Sequence, residues 1–392
     1  MSAGDSLPSI DTLLAEARTR AGLDDFGSQW FVEPLGVMLR ALRTEANLSD
    51  AGVAAHRERI LAALVNRLRT QEAIKRHPEI RDERAEVAGI IVGLPRTGST
   101  MFHRLLTTAP GLTALRWWEA QNYAPFPGEE RGRPVERVAY AERLLASMLA
   151  HNPDLMSIHP FQVHGADEEI IILDQCFTGT MPEAYAYIPS FSAWLEQADQ
   201  RPAYEDLRTV LKFLQWQDPA RAGKRWVMKT PGHLAALDSL FAVFPEAQLI
   251  LTHRDPLQTV PSYCSMVVAL QELSTAQSDR VKVGRFTAQR WAGLLERFTR
   301  IRDTADDSRF IDVAYEDLVR DPLAQWRRVL ARLGEPVGPD AERAAAQWLE
   351  ANGRDKRAPH HYTLEEFGLA TAELERWFAP YRTRFIHASP SS

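Results

Sequence analysis

Residues 87–101 read Val-Ala-Gly-Ile-Ile-Val-Gly-Leu-Pro-Arg-Thr-Gly-Ser-Thr-Met. An apolar run breaks into a glycine turn and resumes at once in a helical pattern, the layout of a buried strand feeding a helix. Such a turn exposes backbone N–H groups at the positive end of a helix dipole, a cradle for an anion. Loops that hold nucleoside triphosphates read G-x-x-x-x-G-K-[ST]. Gly93 and Gly98 keep that glycine spacing, but Ser99 stands where the lysine belongs and the cation has moved upstream to Arg96. The segment suits an anionic group held by backbone amides, hydroxyls and one guanidinium, and it suits ATP or GTP poorly.

The same alternation recurs downstream. Trp226-Val227-Met228-Lys229 is a short apolar run ending in a cation, and Thr230-Pro231-Gly232-His233 opens a helix expected to reach Phe244. Pro231 falls where a missing N–H costs little. Ala247–Thr252 reads as another strand, closed by His253-Arg254-Asp255-Pro256, with Ser262 on the helix that follows. Arg309–Val313 reads as a strand leading into Tyr315-Glu316-Asp317-Leu318. Strands near 88–94, 226–229, 247–252 and 309–313, alternating with helices, predict an α/β fold: a three-layer sandwich around a mostly parallel sheet. Ligands bind such sheets beyond the carboxyl ends of the strands. The Gly93–Thr100 loop, Lys229 and Arg254 are all expected there.

Before the first strand, the runs Ile10–Ala21 and Asp50–Ile74 space apolar residues at three and four, and His77-Pro78 ends the second. Residues 1–85 are therefore expected to form a helical cap on a catalytic domain over 86–385. Between 120 and 215 strand signals fade, Arg137–Leu149 reads as a helix, and Ala184–Phe191 is rich in aromatics. This insert is the candidate acceptor site, although aromatics in this pattern can equally pack helices together. The 392 residues carry a net charge of −6, which argues against wholesale nucleic-acid binding and confines any basic surface to a local pocket. Two cysteines exclude a disulfide framework. No stretch has the make-up of a signal peptide or membrane span, so a cytoplasmic location is expected.

Pro95-Arg96-Thr97-Gly98-Ser99-Thr100 resembles the phosphosulfate-binding loop of sulfotransferases, enzymes that move a sulfuryl group from 3′-phosphoadenosine 5′-phosphosulfate (PAPS) to an acceptor. The resemblance extends over roughly residues 20–385. It is nearest to bacterial members with a helical N-terminal extension and a stretch like His360-His361-Tyr362-Thr363-Leu364-Glu365-Glu366-Phe367-Gly368-Leu369. It implies that Pro95 to Met101 hold the 5′-phosphosulfate, that Arg254 and Ser262, eight residues apart, hold the 3′-phosphate, and that Arg357 adds a contact. A guanidinium forks onto phosphate oxygens as lysine cannot. Arg96 and Lys229 would then face the transferring group, with no metal required, and the partner would be a small-molecule, lipid or glycan acceptor.

The base for the acceptor proton stays open. Relatives place a histidine two residues after the lysine, where this chain has Pro231, and His233 follows at four. His103 lies on the helix after the loop, where other relatives carry a glutamate one position on, at Arg104 here. Glu119 lies near the glutamate of tyrosylprotein sulfotransferases. Asp167-Glu168-Glu169 is the fourth candidate, although an acidic triplet usually marks a solvated helix start. Two other classes fit the first strand and loop: a P-loop kinase or NTPase, disfavoured by the missing lysine and the lack of a Walker-B-type strand, and a nucleotide-binding protein without turnover.

Overall fold

The computed structural model describes residues 6–151, 156, 160–275, 277–352 and 363–387. Five strands form one all-parallel sheet: β1 (Val87–Val92), β2 (Leu112–Thr113), β3 (Arg225–Lys229), β4 (Gln248–His253) and β5 (Phe310–Ala314), in the order β2-β3-β1-β4-β5. The four expected strands are present, each within two residues of its expected bounds. The two-residue β2, which pairs Leu112 and Thr113 with Arg225 and Trp226, is too short to show any alternation in the sequence.

Every residue of β1 is buried, because helices cover both faces of the sheet. Trp226, Met228, Leu249 and Leu251 face the helices at Arg201–Gln217, Leu237–Val243 and Arg280–Thr304. Val227, Ile250, Ile311 and Val313 face the opposite layer, where they meet Phe102 and Leu105 of the helix after β1 and Trp326 of Pro322–Arg332. The strand period of two thus sorts successive residues into two separate cores.

At the N-terminus, α1 (Ile10–Ala21), α2 (Val32–Thr44) and α3 (Asp50–Arg76) share a further apolar cluster with Phe177, Ile188, Phe191 and Leu195. α2 is an addition to the two runs read from the sequence. Ile188 and Phe191 of the aromatic-rich segment therefore pack helices together. Tyr187 instead lines a small cavity of about 30 Å³ with Tyr263, Phe286 and Trp291. The segment after β3 is also not the single α-helix expected. Thr230 Oγ1 accepts the Gly232 N–H at 3.2 Å and starts a 3-10 helix, Pro231–Ala236, before an α-helix over Leu237–Val243. No described helix is long and apolar enough to cross a membrane.

β1 is the central strand, with β3 and β4 on either side, so the loop that leaves it opens into a crevice bordered by the ends of both neighbours. Gly93 at the mouth of that loop has a φ of 136°, and a Cβ there would lie 2.9 Å from the Thr252 carbonyl oxygen. Gly93→Ala combines a forbidden backbone region with a backbone clash. It should lower unfolding free energy by about 2–3 kcal/mol in urea titrations. Gly22→Ala, at a positive φ with open space around it, is the control that separates the backbone effect from the clash and should cost less.

Candidate active site

The loop is built by backbone geometry and sealed by hydroxyls. Gly98 takes a φ of 79° and hands the chain to α4 (Ser99–Leu106), while Arg96 takes a φ of 68°, a region costly to any residue with a Cβ. Thr97 Oγ1 donates to the Leu94 carbonyl at 2.9 Å and lies 2.6 Å from Thr252 Oγ1, so the Thr252 hydroxyl donates to it. That pair ties the loop to the end of β4.

Two groups of side chains flank the loop. On the β4 side, Arg254 Nη1 donates to the Arg96 carbonyl at 2.8 Å, with its guanidinium 4.1 Å from the Tyr315 ring centroid. Arg96 Nε donates to Ser262 Oγ at 3.2 Å. Arg96, Arg254 and Ser262 therefore meet, although 166 positions separate the first from the last. Tyr315, in the segment that follows the last strand, supplies an aromatic face beneath Arg254. Arg357 and the His360-His361-Tyr362 start of the C-terminal stretch lie outside the described residues.

On the β3 side, Lys229 is buried and its Nζ reaches Thr100 Oγ1, at the start of α4, at 3.1 Å. The same Nζ forms an ion pair with the Glu168 carboxylate. The next residue holds the lysine by its other end: Glu169 Oε2 accepts the Lys229 backbone N–H at 2.8 Å. The acidic triplet is thus not the solvated helix start its composition suggested. Asp167 and Glu169 are buried, and only Glu168 keeps modest exposure. Burial raises the Glu169 carboxyl to about 8, against the pull of the Lys229 N–H. Arg104 explains how the triplet reaches the site. From α4 it donates to the Ala166 carbonyl at 3.1 Å and the Pro160 carbonyl at 2.8 Å, with Asp167 3.9 Å away.

The other base candidates have different surroundings. His233 is fully buried, shares a 2.8 Å hydrogen bond with the Tyr204 hydroxyl through Nδ1, and leaves Nε2 without a partner 3.9 Å from Glu169 Oε2. His103 Nε2 donates to the Val227 carbonyl at 2.9 Å, which fixes a neutral ring with a bare Nδ1. Burial lowers both imidazoles to about 3. Glu119 sits at the β2 edge of the sheet, where its Oε2 accepts from Arg221 at 2.7 Å and from the Arg116 N–H at 2.8 Å. Sequence reasoning misses Tyr204 and Arg104 as supports, because each acts through a partner far away in sequence.

A family model described as "Sulfotransferase family" matches residues 90–339. The chain belongs to the sulfotransferase family. The sulfotransferase STF1 of Mycobacterium tuberculosis H37Rv is similar at 32% identity, over 95% of this chain and 99% of that one, with a TM-score of 0.81. STF9 of Mycobacterium avium is similar at 28% identity, over 97% and 98% of the two chains, with a TM-score of 0.88. An omega-hydroxy-beta-dihydromenaquinone-9 sulfotransferase, Stf3, of Mycobacterium tuberculosis is 28% identical over 253 residues. That match spans 62% of each chain, less than two thirds of the relative's length.

The buried imidazoles make the stability of this sulfotransferase pH-dependent. His56, His103 and His233 are each lowered by burial to about 3 from the ordinary 6.5. Their contribution is complete above pH 6.5 and is lost as pH falls from there towards 3, because unfolding then takes up protons. Glu169, Asp174 and Glu183 run the other way, because burial raises all three: Glu169 is complete below 4.5 and lost as pH rises through about 8, Asp174 complete below 3.8 and lost through about 6. Urea melts taken from about pH 7 down to about pH 4 should show falling stability. His103→Gln, whose amide can still donate to the Val227 carbonyl, should flatten the decline.

Proposed function

We propose that this sulfotransferase moves the sulfuryl group of PAPS to an acceptor hydroxyl, with Glu168 taking the acceptor's proton. The observation that carries the reading is the contact of Lys229 Nζ with both Thr100 at the loop and the Glu168 carboxylate. It joins an anion cradle, a cation and a base in one cluster. PAPS supplies a sulfuryl group on a phosphate leaving group, and the residues present fit it. The loop amides and Thr100 would hold the 5′ end. Arg254 and Ser262 would hold the 3′-phosphate; the contact of Arg254 with the Arg96 carbonyl, beside the Arg96–Ser262 hydrogen bond, supports this reading.

In-line transfer moves charge onto the bridging oxygen, and fixed donors stabilise that charge without reorganising. Lys229 and Arg96 are the donors on either side of the loop. Two cations and a row of amides meet this need without a metal. A carboxylate base must be ionised and within reach of solvent and substrate. Glu168 satisfies both through its ion pair and its remaining exposure. Glu169 is pushed up to about 8 by burial and holds the Lys229 backbone N–H, while Glu168 is the member paired with the Lys229 ammonium. His233 remains the second candidate, since its bare Nε2 lies 3.9 Å from the Glu169 carboxylate.

The acceptor class proposed is a hydroxylated lipid, supported by the acceptor in the printed name of the 28% identical relative. The segment 120–215 is proposed to line its site. A helical cap over 1–85 and a catalytic unit over 86–385 complete the proposed division of the chain.

Mass spectrometry with PAPS and a panel of hydroxylated lipids, phenols and glycans tests the activity directly. Adenosine 3′,5′-bisphosphate should raise the melting temperature and Mg-ATP should not; stabilisation by Mg-ATP alone would overturn the reading. Glu168→Gln should cut kcat by ~10²–10⁴ with donor affinity nearly unchanged. Lys229→Ala should also lower the rate, by removing a cation beside the loop. If Glu168→Gln retains wild-type kcat and His233→Ala does not, the base is His233. Arg254→Ala should weaken adenosine 3′,5′-bisphosphate binding by about 2–4 kcal/mol, and Ser262→Ala by about 1 kcal/mol.

A further inference from the structure

Arg254 is flanked by two residues that the C-terminal helix, Ala379–Phe385, holds in place. On one side, the Tyr381 hydroxyl is 2.7 Å from His253 Nδ1, and the Phe385 ring stacks on the imidazole at 4.7 Å and 5°. On the other, Arg382 Nη2 donates to Asp255 Oδ2 at 3.1 Å. The imidazole is fixed from its far edge as well. His253 Nε2 lies 2.9 Å from Asp312 Oδ1 on β5, and Asp312 Oδ2 in turn accepts from Arg302 at 2.7 Å. Since Asp312 accepts the Nε2 proton, Nδ1 is the acceptor of the Tyr381 hydroxyl. Asp255 has a second duty, because its Oδ1 accepts the Leu257 N–H at 3.0 Å and caps the helix that carries Ser262.

We propose that Tyr381 and Arg382 are positioning residues for donor binding: by gripping His253 and Asp255, the C-terminal helix holds the turn that aims Arg254 and starts the helix of Ser262. Neither side chain need touch the donor. A guanidinium that must meet a phosphate bidentately loses much of its contribution when its backbone loosens by a fraction of an ångström. The helix has its own anchorage, through the ion pair of Arg384 with Asp303. Substitutions at Tyr381 and Arg382 therefore address the turn rather than the docking of the whole segment. The contacts also explain two buried or half-buried polar groups of the C-terminus that the chemistry at Lys229 and Glu168 leaves unused.

The proposal rests on the reading of Arg254 as a 3′-phosphate ligand, and the experiment separates the two. Calorimetry with adenosine 3′,5′-bisphosphate and steady-state kinetics in PAPS are run on the full chain and on Tyr381→Phe, Arg382→Gln, Arg382→Lys and Arg254→Ala. Tyr381→Phe keeps the ring and loses only the hydroxyl, so it stays folded even if Arg382→Gln does not. The expected result is a rise of about tenfold in Kd and in KM for PAPS for Arg382→Gln, and a smaller one for Tyr381→Phe. kcat at saturating PAPS should stay within about twofold, and Arg382→Lys should recover part of the affinity. A merely structural role would lower active enzyme and kcat without this split. If Arg254→Ala weakens binding while Tyr381→Phe and Arg382→Gln bind like wild type, the positioning role is wrong. If Arg254→Ala itself binds normally, the 3′-phosphate reading fails and the proposal fails with it.

Discussion

The approach of Gly93 to the end of β4 is the constraint from which the site follows. With no Cβ, Gly93 lets the loop fold back until its residues meet Thr252, and the Thr97 and Thr252 hydroxyls close the gap. Arg96 is thereby turned into a positive φ, and its carbonyl faces Arg254 while its side chain reaches Ser262. Residues from the ends of three central strands come within hydrogen-bonding distance of one short turn. A parallel sheet with its first strand in the middle makes this possible, because both neighbours of β1 end beside the loop.

Around that turn, burial sorts the ionisable groups into different states. Glu168 and Glu169 are adjacent in sequence and hold opposite ends of Lys229, one at the ammonium and one at the backbone N–H. Glu169 is sealed from solvent and pushed up to about 8, while Glu168 keeps an ion pair and an outlet. Two carboxyls in different surroundings can take different roles, one pairing with a cation and one anchoring a backbone N–H. The same burial holds the three interior imidazoles neutral across the ordinary pH range. Arg104 stands where some relatives place a glutamate. By gripping the 160–167 segment, it brings the acidic triplet to Lys229 from a different part of the chain.

The strands and the loop were legible because their signals are local. β1, β3, β4 and β5 are apolar runs ended by Gly, Lys, Arg or an acidic helix start, and the glycine spacing of 93–98 announces the turn. β2 was not legible, since two residues carry no period, and the 3-10 start of the helix after Thr230 looks in sequence like any proline-led helix. The acidic triplet shows the limit of composition: three carboxylates in a row read as solvated, yet Arg104 and Lys229 draw two of them inside.

What the sequence determined by itself was the alternating parallel fold, the glycine turn between β1 and α4, and the residue types that would meet at the strand ends, because short-range pattern and spacing encode these. Which carboxylate faces the cation was decided only by tertiary structure. So were the closed surroundings of His103 and His233, and the grip of a C-terminal helix on the turn bearing Arg254. Those outcomes depend on burial and on partners far apart along the chain, and a side chain's charge state and aim follow from what the fold packs around it.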